Sequence, residues 1–261
     1  MPSDVEVRAR AQAHTASDLR SAVRRVRAPG HRGTGAVRAV IGNDLACHWM
    51  LRPPRGARSL CEIQAVAQAR FAALFDESVA EWRVTGDWRT DRPFICTAVP
   101  RWVLADVEAT GPGNLPVACI GTLLGRALEL FHRRIPDSGW CCIQSPRSLA
   151  LLHLYDGLPS SLRVVPLKPE ATHESVVGGA VDALHREAAC LALPPVVSAT
   201  WLDLTAPTQC PDRASNVSHE GVRLTVLRLR HRPGASPKPV GSLQEAGVAA
   251  LLGGSEPVSL A

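Results

Sequence analysis

Residues 140–167, WCCIQSPRSLALLHLYDGLPSSLRVVPL, contain three apolar runs separated by two turn signals. Trp140–Gln144 and Leu149–Tyr155 are rich in residues typical of β-strands, and the Ser-Pro-Arg between them marks a turn. Asp156-Gly157 is a second turn signal, because both residues tolerate the backbone of a tight hairpin. The pattern predicts three consecutive antiparallel strands, the last over Leu162–Leu167.

A long helix and one more strand follow these three strands. Thr172 can cap a helix over about residues 173–193, whose apolar side chains recur with the helical period. Its predicted buried side consists of Val176, Val177, Ala180, Val181, Leu184, Ala188 and Leu191. Val196–Leu204 is then a final apolar run. The second half of the chain therefore reads strand-strand-strand-helix-strand.

The first half contains the same kinds of element with one helix inserted early. Ala36–Ile41 and Ala46–Leu51 are strand-like, and Gly42-Asn43-Asp44 between them predicts a hairpin. Ser59 and Glu62 form a capping box for a helix that ends at about residue 75. Its predicted core-facing side consists of Ile63, Val66, Ala67, Phe71 and Leu74, with the stem of Arg70 along the rim. Further predictions are strands over 81–86, 94–99 and 115–120 and helices over 100–109 and 123–134.

Four parts are predicted along the chain. Residues 1–35 are expected to be a disordered basic arm, 36–135 the first α/β half and 136–206 the second α/β half. Residues 207–261 are expected to be a mostly disordered tail, because Pro, Gly, Ser and Ala dominate its second part. Val222–Arg230 in this tail is predicted to be one edge strand, since its arginines suit an exposed edge.

The net charge of +5 is concentrated at the two ends of the chain. Residues 1–35 carry +4 and residues 205–261 carry +2, which leaves −1 for the body. A body without basic excess does not favour a nucleic-acid partner. In the arm, Leu19 begins a narrow apolar stripe that Arg24 and Arg25 flank. This pattern is typical of docking to an acidic surface, a lipid face or a nucleic acid, and equally of a solvated arm.

Cysteine usage and hydropathy indicate the compartment. The eight cysteines lie mostly in apolar segments and form no CxxC pair, which is typical of free thiols in a reducing compartment. No apolar signal-peptide region is present at the N-terminus. No uncharged stretch reaches the roughly 20 residues that a membrane helix needs. The sequence therefore predicts a cytoplasmic protein without a transmembrane segment.

Several short motifs, together with the two-half strand pattern, resemble a known family. They are Gly42-Asn43-Asp44 with His48–Pro53, Arg70-Phe71, Trp82, Cys96–Pro100, Gly139-Trp140, Leu184–Glu187 and Trp201–Leu204. Over about 36–206 the chain resembles the actin-like ATPase superfamily, and within it the GspL/PilM-type cytoplasmic proteins of bacterial type II secretion and type IV pilus assembly. The resemblance implies an actin-like or RNase H-like α/β fold with duplicated halves and mixed sheets. It also implies protein partners, membrane-anchored assembly components among them.

Departures from the family pattern bear on the chemistry. Active members of the superfamily hold ATP phosphates with Asp-x-Gly-type turns after the first strand of each half. Here Asn43 and Asp44 occupy the first turn without a glycine after the acid, and Pro146 in the second turn has no N–H to offer. Gly178-Gly179 falls inside a predicted helix. The resemblance thus implies a scaffold without a cofactor, with Asn43 and Asp44 as weak candidates for cofactor contacts.

Enzymatic alternatives require side chains that the sequence leaves scattered. A metal-dependent RNase H-like enzyme needs converging carboxylates, for which Asp44, Glu187 and Asp203 are candidates. No cysteine and histidine cluster has metal-ligand spacing, so neither a metal site nor a catalytic residue is predicted. Trp88, which has charged neighbours, is predicted to be an exposed contact residue.

These observations favour a non-catalytic cytoplasmic adaptor or scaffold, peripheral at the inner membrane, in a secretion or pilus-type envelope machine. A degenerate ATP-binding actin-like protein and a metal-dependent RNase H-like enzyme stay open as alternatives. The sequence does not identify the partner or the oligomeric state.

Overall fold

The computed structural model describes residues 37–109, 117–168, 171–208, 215–230 and 248–252. These residues form two compact units. The first unit contains residues 37–46, 99–109, 117–126 and 248–252, and the second contains residues 47–98, 127–168, 171–208 and 215–230. This division differs from the predicted boundary between residues 135 and 136, because residues 47–98 group with the second half.

Most strands and helices lie close to their predicted positions, but the strands over 215–219 and 248–252 were not predicted and lie in the part expected to be mostly disordered. The strands are β1 Val37–Ile41, β2 Cys47–Leu51, β3 Trp82–Gly86, β4 Phe94–Pro100, β5 Val117–Thr122, β6 Gly139–Gln144, β7 Ser148–Tyr155, β8 Leu158–Pro166, β9 Ser198–Thr208, β10 Ser215–His219, β11 Val222–Arg230 and β12 Val248–Leu252. The helices are α1 Leu60–Phe75, α2 Arg101–Ala109, α3 Leu123–Phe131 and α4 His173–Cys190, with a short 3-10 turn at Val79–Glu81. No described helix is long and apolar enough to cross a membrane.

The largest sheet, in the second unit, has the strand order β10-β11-β9-β6-β7-β8. β6, β7 and β8 are antiparallel neighbours, and β9 returns parallel to β6 after α4. This confirms the predicted strand-strand-strand-helix-strand order. The prediction that Val222–Arg230 is an edge strand is wrong, because this strand pairs with β9 on one side and with β10 on the other. An added hairpin partner, β10, takes the edge.

One face of this sheet packs against α4. Thr172 caps the helix by accepting a hydrogen bond from the backbone N–H of Ser175 at 3.2 Å. The buried residues of this core are Trp140, Cys142, Leu149, Leu151, Val176, Val177, Ala180, Val181, Ala183, Leu184, Ala188, Val196, Ala199, Trp201, Val222, Leu224 and Val226. Of the residues predicted on the buried side, Leu191 alone is not buried. It is 37% exposed because α4 ends at Cys190, one residue earlier.

A second, smaller layer in the same unit consists of the sheet β2-β4-β3 and α1. Ser59 caps α1, and Glu62 accepts from the backbone N–H of Arg58 at 2.9 Å, so the predicted helix start is confirmed. Ile63, Ala67 and Phe71 are buried as predicted. Leu74 is exposed, contrary to the prediction, because the face that packs on the sheet is narrow. Arg70, which was predicted at the rim, is exposed as well.

The first unit contains the sheet β12-β1-β5 with α2 packed nearby in a shared apolar cluster. The predicted hairpin between the first two strands is wrong, since β1 pairs with β12 and β5 whereas β2 pairs with β4. Ala39, Val40 and Ile41 are all buried. Such a continuous apolar run is typical of a central strand that is covered on both faces.

Candidate functional site

The candidate site lies where β1 and β5 end, in the first unit. These strands are parallel neighbours, with Ile41 opposite Thr122. The turn after β1 (residues 42–46) and the start of α3 therefore lie at the same edge of the sheet. Such carboxyl edges are where α/β sheets bind ligands.

Asn43 connects this turn to α3. Its side chain is buried, and its Oδ1 accepts a hydrogen bond from the backbone N–H of Leu124 at 3.1 Å. Thr122 Oγ1 accepts from the backbone N–H of Gly125 at 3.3 Å. The first N–H groups of a helix have no partner inside the helix and are the groups that usually hold an anion. In this protein two of them donate to the chain's own side chains.

The rest of the first turn offers little that would hold a phosphate. Asp44 is exposed, and Leu45 donates its N–H to the carbonyl of Gly42 at 3.1 Å. Asn43 Nδ2 is buried and has no hydrogen-bond partner among the described residues. The carboxamide cannot turn over without losing the bond to Leu124, so Nδ2 is fixed as a donor. The turn can therefore offer a ligand one fixed hydrogen-bond donor.

The turn between β6 and β7 satisfies its own polar groups. Ser145 donates its N–H to the carbonyl of Ser148 at 2.8 Å, and its Oγ accepts from the N–H of Ser148 at 3.2 Å. The two hydroxyl oxygens are 2.6 Å apart. Both serines are buried, while Pro146 in the turn is exposed. The arrangement closes the turn and presents no row of N–H groups to an anion.

Two buried polar side chains continue from this turn into the sheet. Gln144 Oε1 accepts from the indole N–H of Trp201 at 3.1 Å, and both side chains are buried. Asp203, opposite Gln144 on β9, accepts from the N–H and the hydroxyl of Thr205 at 3.0 and 2.6 Å. The Gln144 amide oxygen thus links β6 to β9, and Asp203 Oδ1 bonds within β9.

Two of the carboxylates proposed for a nuclease, Glu187 and Asp203, are bonded to other side chains of the second unit. Glu187 on α4 accepts from the hydroxyl of Ser161 at 3.0 Å and from Arg163 at 3.2 Å, both on β8. Asp203 bonds to Thr205 on its own strand, and Asp44 lies in the first unit. Among the described residues, no three His, Cys, Asp or Glu side chains could together hold a metal ion.

A histidine follows each of the two turns. Burial lowers the pKa of His48 on β2 to about 4, and its Nδ1 lies 3.0 Å from Thr97 Oγ1. Burial also lowers the pKa of His153 on β7, whose Nδ1 lies 2.5 Å from Ser160 Oγ. His48 Nε2 has no partner among the described residues. Both rings are therefore neutral at physiological pH.

The buried thiols lack the properties of catalytic cysteines. Burial raises the pKa of Cys96 and of Cys141 to about 12 and that of Cys142 well above its usual value. Burial, with a contribution from Glu77, raises the pKa of Cys47 to about 11. The nucleophilic thiolate form is accordingly suppressed at neutral pH.

The other predicted residues lie at separate places. Gly178 and Gly179 lie inside α4, and a Cβ on Gly178 would come within 3.2 Å of His219 Nε2. Trp88, which was predicted to be exposed, is half-buried, because it packs against the core of the smaller sheet and α1 with its ring edge-on to Phe94 at 6.1 Å between centroids. Leu19, Arg24 and Arg25 lie outside the described residues.

The sequence indicated Asn43 as a candidate residue, but it did not indicate that Asn43 accepts a hydrogen bond from the start of α3. The hydrogen bond to Leu124 joins residues 81 positions apart, so no local sequence pattern predicts it. Thr122, which starts the capping of α3, was not selected. A Thr directly before an apolar helical run was the available signal. Buried Asp106 on α2 was also missed.

No protein-family model matches the sequence, and no curated protein is similar to it. Three solved structures resemble the chain in fold. The PilM–PilN type IV pilus biogenesis complex has a TM-score of 0.49 and 14% identity, over 72% of this chain and 66% of that chain. The cytoplasmic domain of EpsL, an inner membrane component of the type II secretion system of Vibrio cholerae, has a TM-score of 0.43 and 12% identity, over 73% of this chain and 68% of that chain.

The third structure is a Bacteroides thetaiotaomicron protein with an actin-like ATPase fold and unknown function. It has a TM-score of 0.41 and 9% identity, over 64% of this chain and 58% of that chain. These three structures are similar to the chain in fold alone. At these identities neither a partner nor an activity can be transferred from the three structures to this chain. The architecture of the second unit is defined by its strand order, described above.

Proposed function

We propose that this protein is a non-catalytic adaptor or scaffold that works in the cytoplasm, peripheral at the inner membrane, in a secretion or pilus-type envelope machine. The observation that carries the proposal is the hydrogen bond from Leu124 N–H to Asn43 Oδ1. The N–H group that would approach a phosphate donates instead to a side chain of the protein. A helix start that is capped in this way has lost much of its attraction for an anion.

The second turn supports the same proposal. Ser145 and Ser148 satisfy each other, and Pro146 has no N–H. In each of the two turns, polar groups that could contact a phosphate are thus bonded to other groups of the chain. The fold is retained as a platform on which partners dock, and membrane-anchored assembly proteins are the proposed partners.

A retained nucleotide site is the second candidate function, because Asn43 Nδ2 is a fixed buried donor without a partner among the described residues. Titration calorimetry with ATP and Mg²⁺ separates the two candidates. We expect no saturable heat from the natural protein. Stoichiometric binding that disappears in Asn43→Ala would overturn the adaptor proposal and establish the second candidate.

Affinity capture from native extract tests the docking role. Trp88 is the proposed contact residue, so Trp88→Ala is expected to reduce capture of membrane-anchored assembly proteins. Trp102→Ala is the matched control, since Trp102 is 37% exposed on α2. Equal thermal unfolding of both variants would show that the fold is intact. Equal capture by Trp88→Ala and the natural protein would contradict the assignment of Trp88.

A further inference from the structure

The strand β10 forms one edge of the six-stranded sheet. In the order β10-β11-β9-β6-β7-β8 it pairs with β11 on one side, and no strand among the described residues pairs with its other side. Its residues Asn216, Val217 and Ser218 are all exposed. An unpaired strand edge presents backbone N–H and C=O groups to any chain that can add a strand.

The two edges of this sheet differ in how they are protected against strand addition. β8, at the opposite edge, contains Pro159, Arg163 and Pro166, and a register shift interrupts its pairing with β7. Proline, charged side chains and bulges are the features with which proteins block edge strands. β10 has the sequence Ser-Asn-Val-Ser-His and pairs with β11 without a register shift. None of the blocking features is therefore present in β10.

The backbone groups that point outward from β10 belong to Asn216 and Ser218. These residues lie opposite Thr225 and Arg223 on β11. Arg223 donates its N–H to the carbonyl of Val197, on the β9 side of β11, at 3.0 Å. Since hydrogen-bonded and non-hydrogen-bonded pairs alternate along an antiparallel ladder, Arg223–Ser218 and Thr225–Asn216 are the non-hydrogen-bonded pairs. The backbone N–H and C=O groups of Asn216 and Ser218 therefore face away from β11.

The position of β10 is fixed by its turn and by α4. Glu220 and Gly221 have positive φ, 47° and 81°, as in the two-residue turns that set the register of a hairpin. His219 lies against α4 at Gly178, where a Cβ would come within 3.2 Å of His219 Nε2. A strand that is ordered before binding loses little entropy when another strand adds to it.

We propose that β10 pairs antiparallel with β10 of a second copy of this chain, about a two-fold axis at Val217. Asn216 of one copy then lies opposite Ser218 of the other, and the outward backbone groups of each such pair bond to one another. Val217, which is 37% exposed, meets its own counterpart in the non-hydrogen-bonded pair, where side chains are closest. Because Val217 lies opposite Leu224 of the core under α4, this contact extends that core.

The charges on the hairpin favour a second copy as the occupant. The five residues of β10 include no Asp, Glu, Lys or Arg, so the two-fold axis brings no like charges opposite one another. Nor does β10 carry a charge that would select a different strand. Arg223 is exposed, one strand further in, and the two copies of it would be three strand spacings apart, about 14 Å, beyond the screening length at physiological salt. This inference does not depend on the adaptor role or on the absence of nucleotide binding.

Sedimentation velocity of the full chain, up to several hundred micromolar, tests the proposal. A contact between two short strands is small, so weak monomer–dimer association is expected. Its strength should change less than about threefold between about 0.05 M and about 0.5 M salt, because no charged pair is involved. Ser218→Pro removes an outward N–H without removing a bond between β10 and β11, and it should weaken association at least about tenfold. Equal thermal unfolding of this variant and the natural protein would show that the fold is intact.

Two double variants that differ only at residue 216 test the two-fold register. Asn216→Lys/Ser218→Lys places like charges opposite one another across the axis, whereas Asn216→Asp/Ser218→Lys places opposite charges there. The change at residue 218, beside Arg223, is the same in both variants and so serves as its own control. Association of the first variant should be at least about tenfold weaker than that of the second.

Amide hydrogen exchange identifies the edge that is covered. The N–H groups of Asn216 and Ser218 should exchange more slowly as the protein concentration rises. A monomer at all concentrations would overturn the proposal, as would association that is equal in the two double variants and unchanged in Ser218→Pro. Protection of these two N–H groups that is independent of concentration would assign the edge to a segment of the same molecule, and the second copy would be wrong as its occupant.

Discussion

The turn after β1 and the turn between β6 and β7 follow the first strand of each predicted half, yet they are stabilised in different ways. Asn43 in the first turn bonds to Leu124, 81 residues away. Ser145 in the second turn bonds to Ser148, three residues away. The first turn therefore couples a strand to a distant helix, whereas the second is a local closure. Neither leaves a row of free amides for an anion.

The strands after the two turns each carry a histidine, and the one after the first turn is the more deeply buried. Lowering the pH should therefore give the largest change in the free energy of unfolding. His48 is buried and its pKa is about 4 in the folded chain, against 6.5 when unfolded. The folded state therefore favours the neutral ring. This stability is complete above the unfolded pKa and is lost as the pH falls through 6.5 toward the folded pKa of about 4. The loss amounts to about 3 kcal/mol.

Urea unfolding at neutral pH and near pH 4 measures this loss. His48→Gln, which does not titrate, should lose about 3 kcal/mol less on acidification than the natural protein. His132→Gln is the control, because His132 is exposed. His153 is less buried, so His153→Gln should have a smaller effect of the same sign. Equal acid sensitivity of His48→Gln and the natural protein would refute the assignment.

Gln144, directly before the second turn, has a long-range partner in Trp201. Gln144→Met leaves the indole N–H of Trp201 buried without an acceptor, which should cost about 2 kcal/mol in the free energy of unfolding. The double variant Gln144→Met/Trp201→Phe removes both partners. Its cost should be below the sum of the single variants, and strict additivity would show that the bond is unimportant.

Asn43→Ala should destabilise the protein by about 1.5 kcal/mol, because Leu124 N–H loses its buried acceptor. Asn43→Asp keeps an acceptor beside the helix start and should retain most of the stability. Asn216→Ala is the control, since Asn216 is exposed and accepts only from Thr225. A larger loss in Asn216→Ala than in Asn43→Ala would remove the claimed coupling between turn and helix.

Ser145→Ala should have the smallest effect, about 1 kcal/mol, because a local turn loses one of its bonds. Ser218→Ala, at an exposed position on β10, should change the free energy of unfolding by less than about 0.5 kcal/mol. Chemical denaturation measures both. A Ser145→Ala effect that clearly exceeds that of Asn43→Ala would reverse the comparison between the two turns.

Local sequence patterns were sufficient to predict most of the helices and strands. Turn residues and apolar runs placed β6, β7, β8, α4 and β9, because each begins or ends at a residue with a strong backbone preference. Ser59 and Thr172 were identified as helix caps for the same reason. Thus the sequence by itself determined the order of the elements, the helix starts and the aliphatic core that joins the large sheet to α4.

Tertiary structure alone decided which strands pair and what the polar turns do. Gly42-Asn43-Asp44 has the composition of a hairpin turn, but β1 is covered on both sides by β12 and β5, and burial overrides turn preference. Asn43 became a helix cap because parallel pairing of β1 and β5 brings Leu124 beside it. Contacts between residues far apart in sequence depend on packing, and local residue preferences do not encode them.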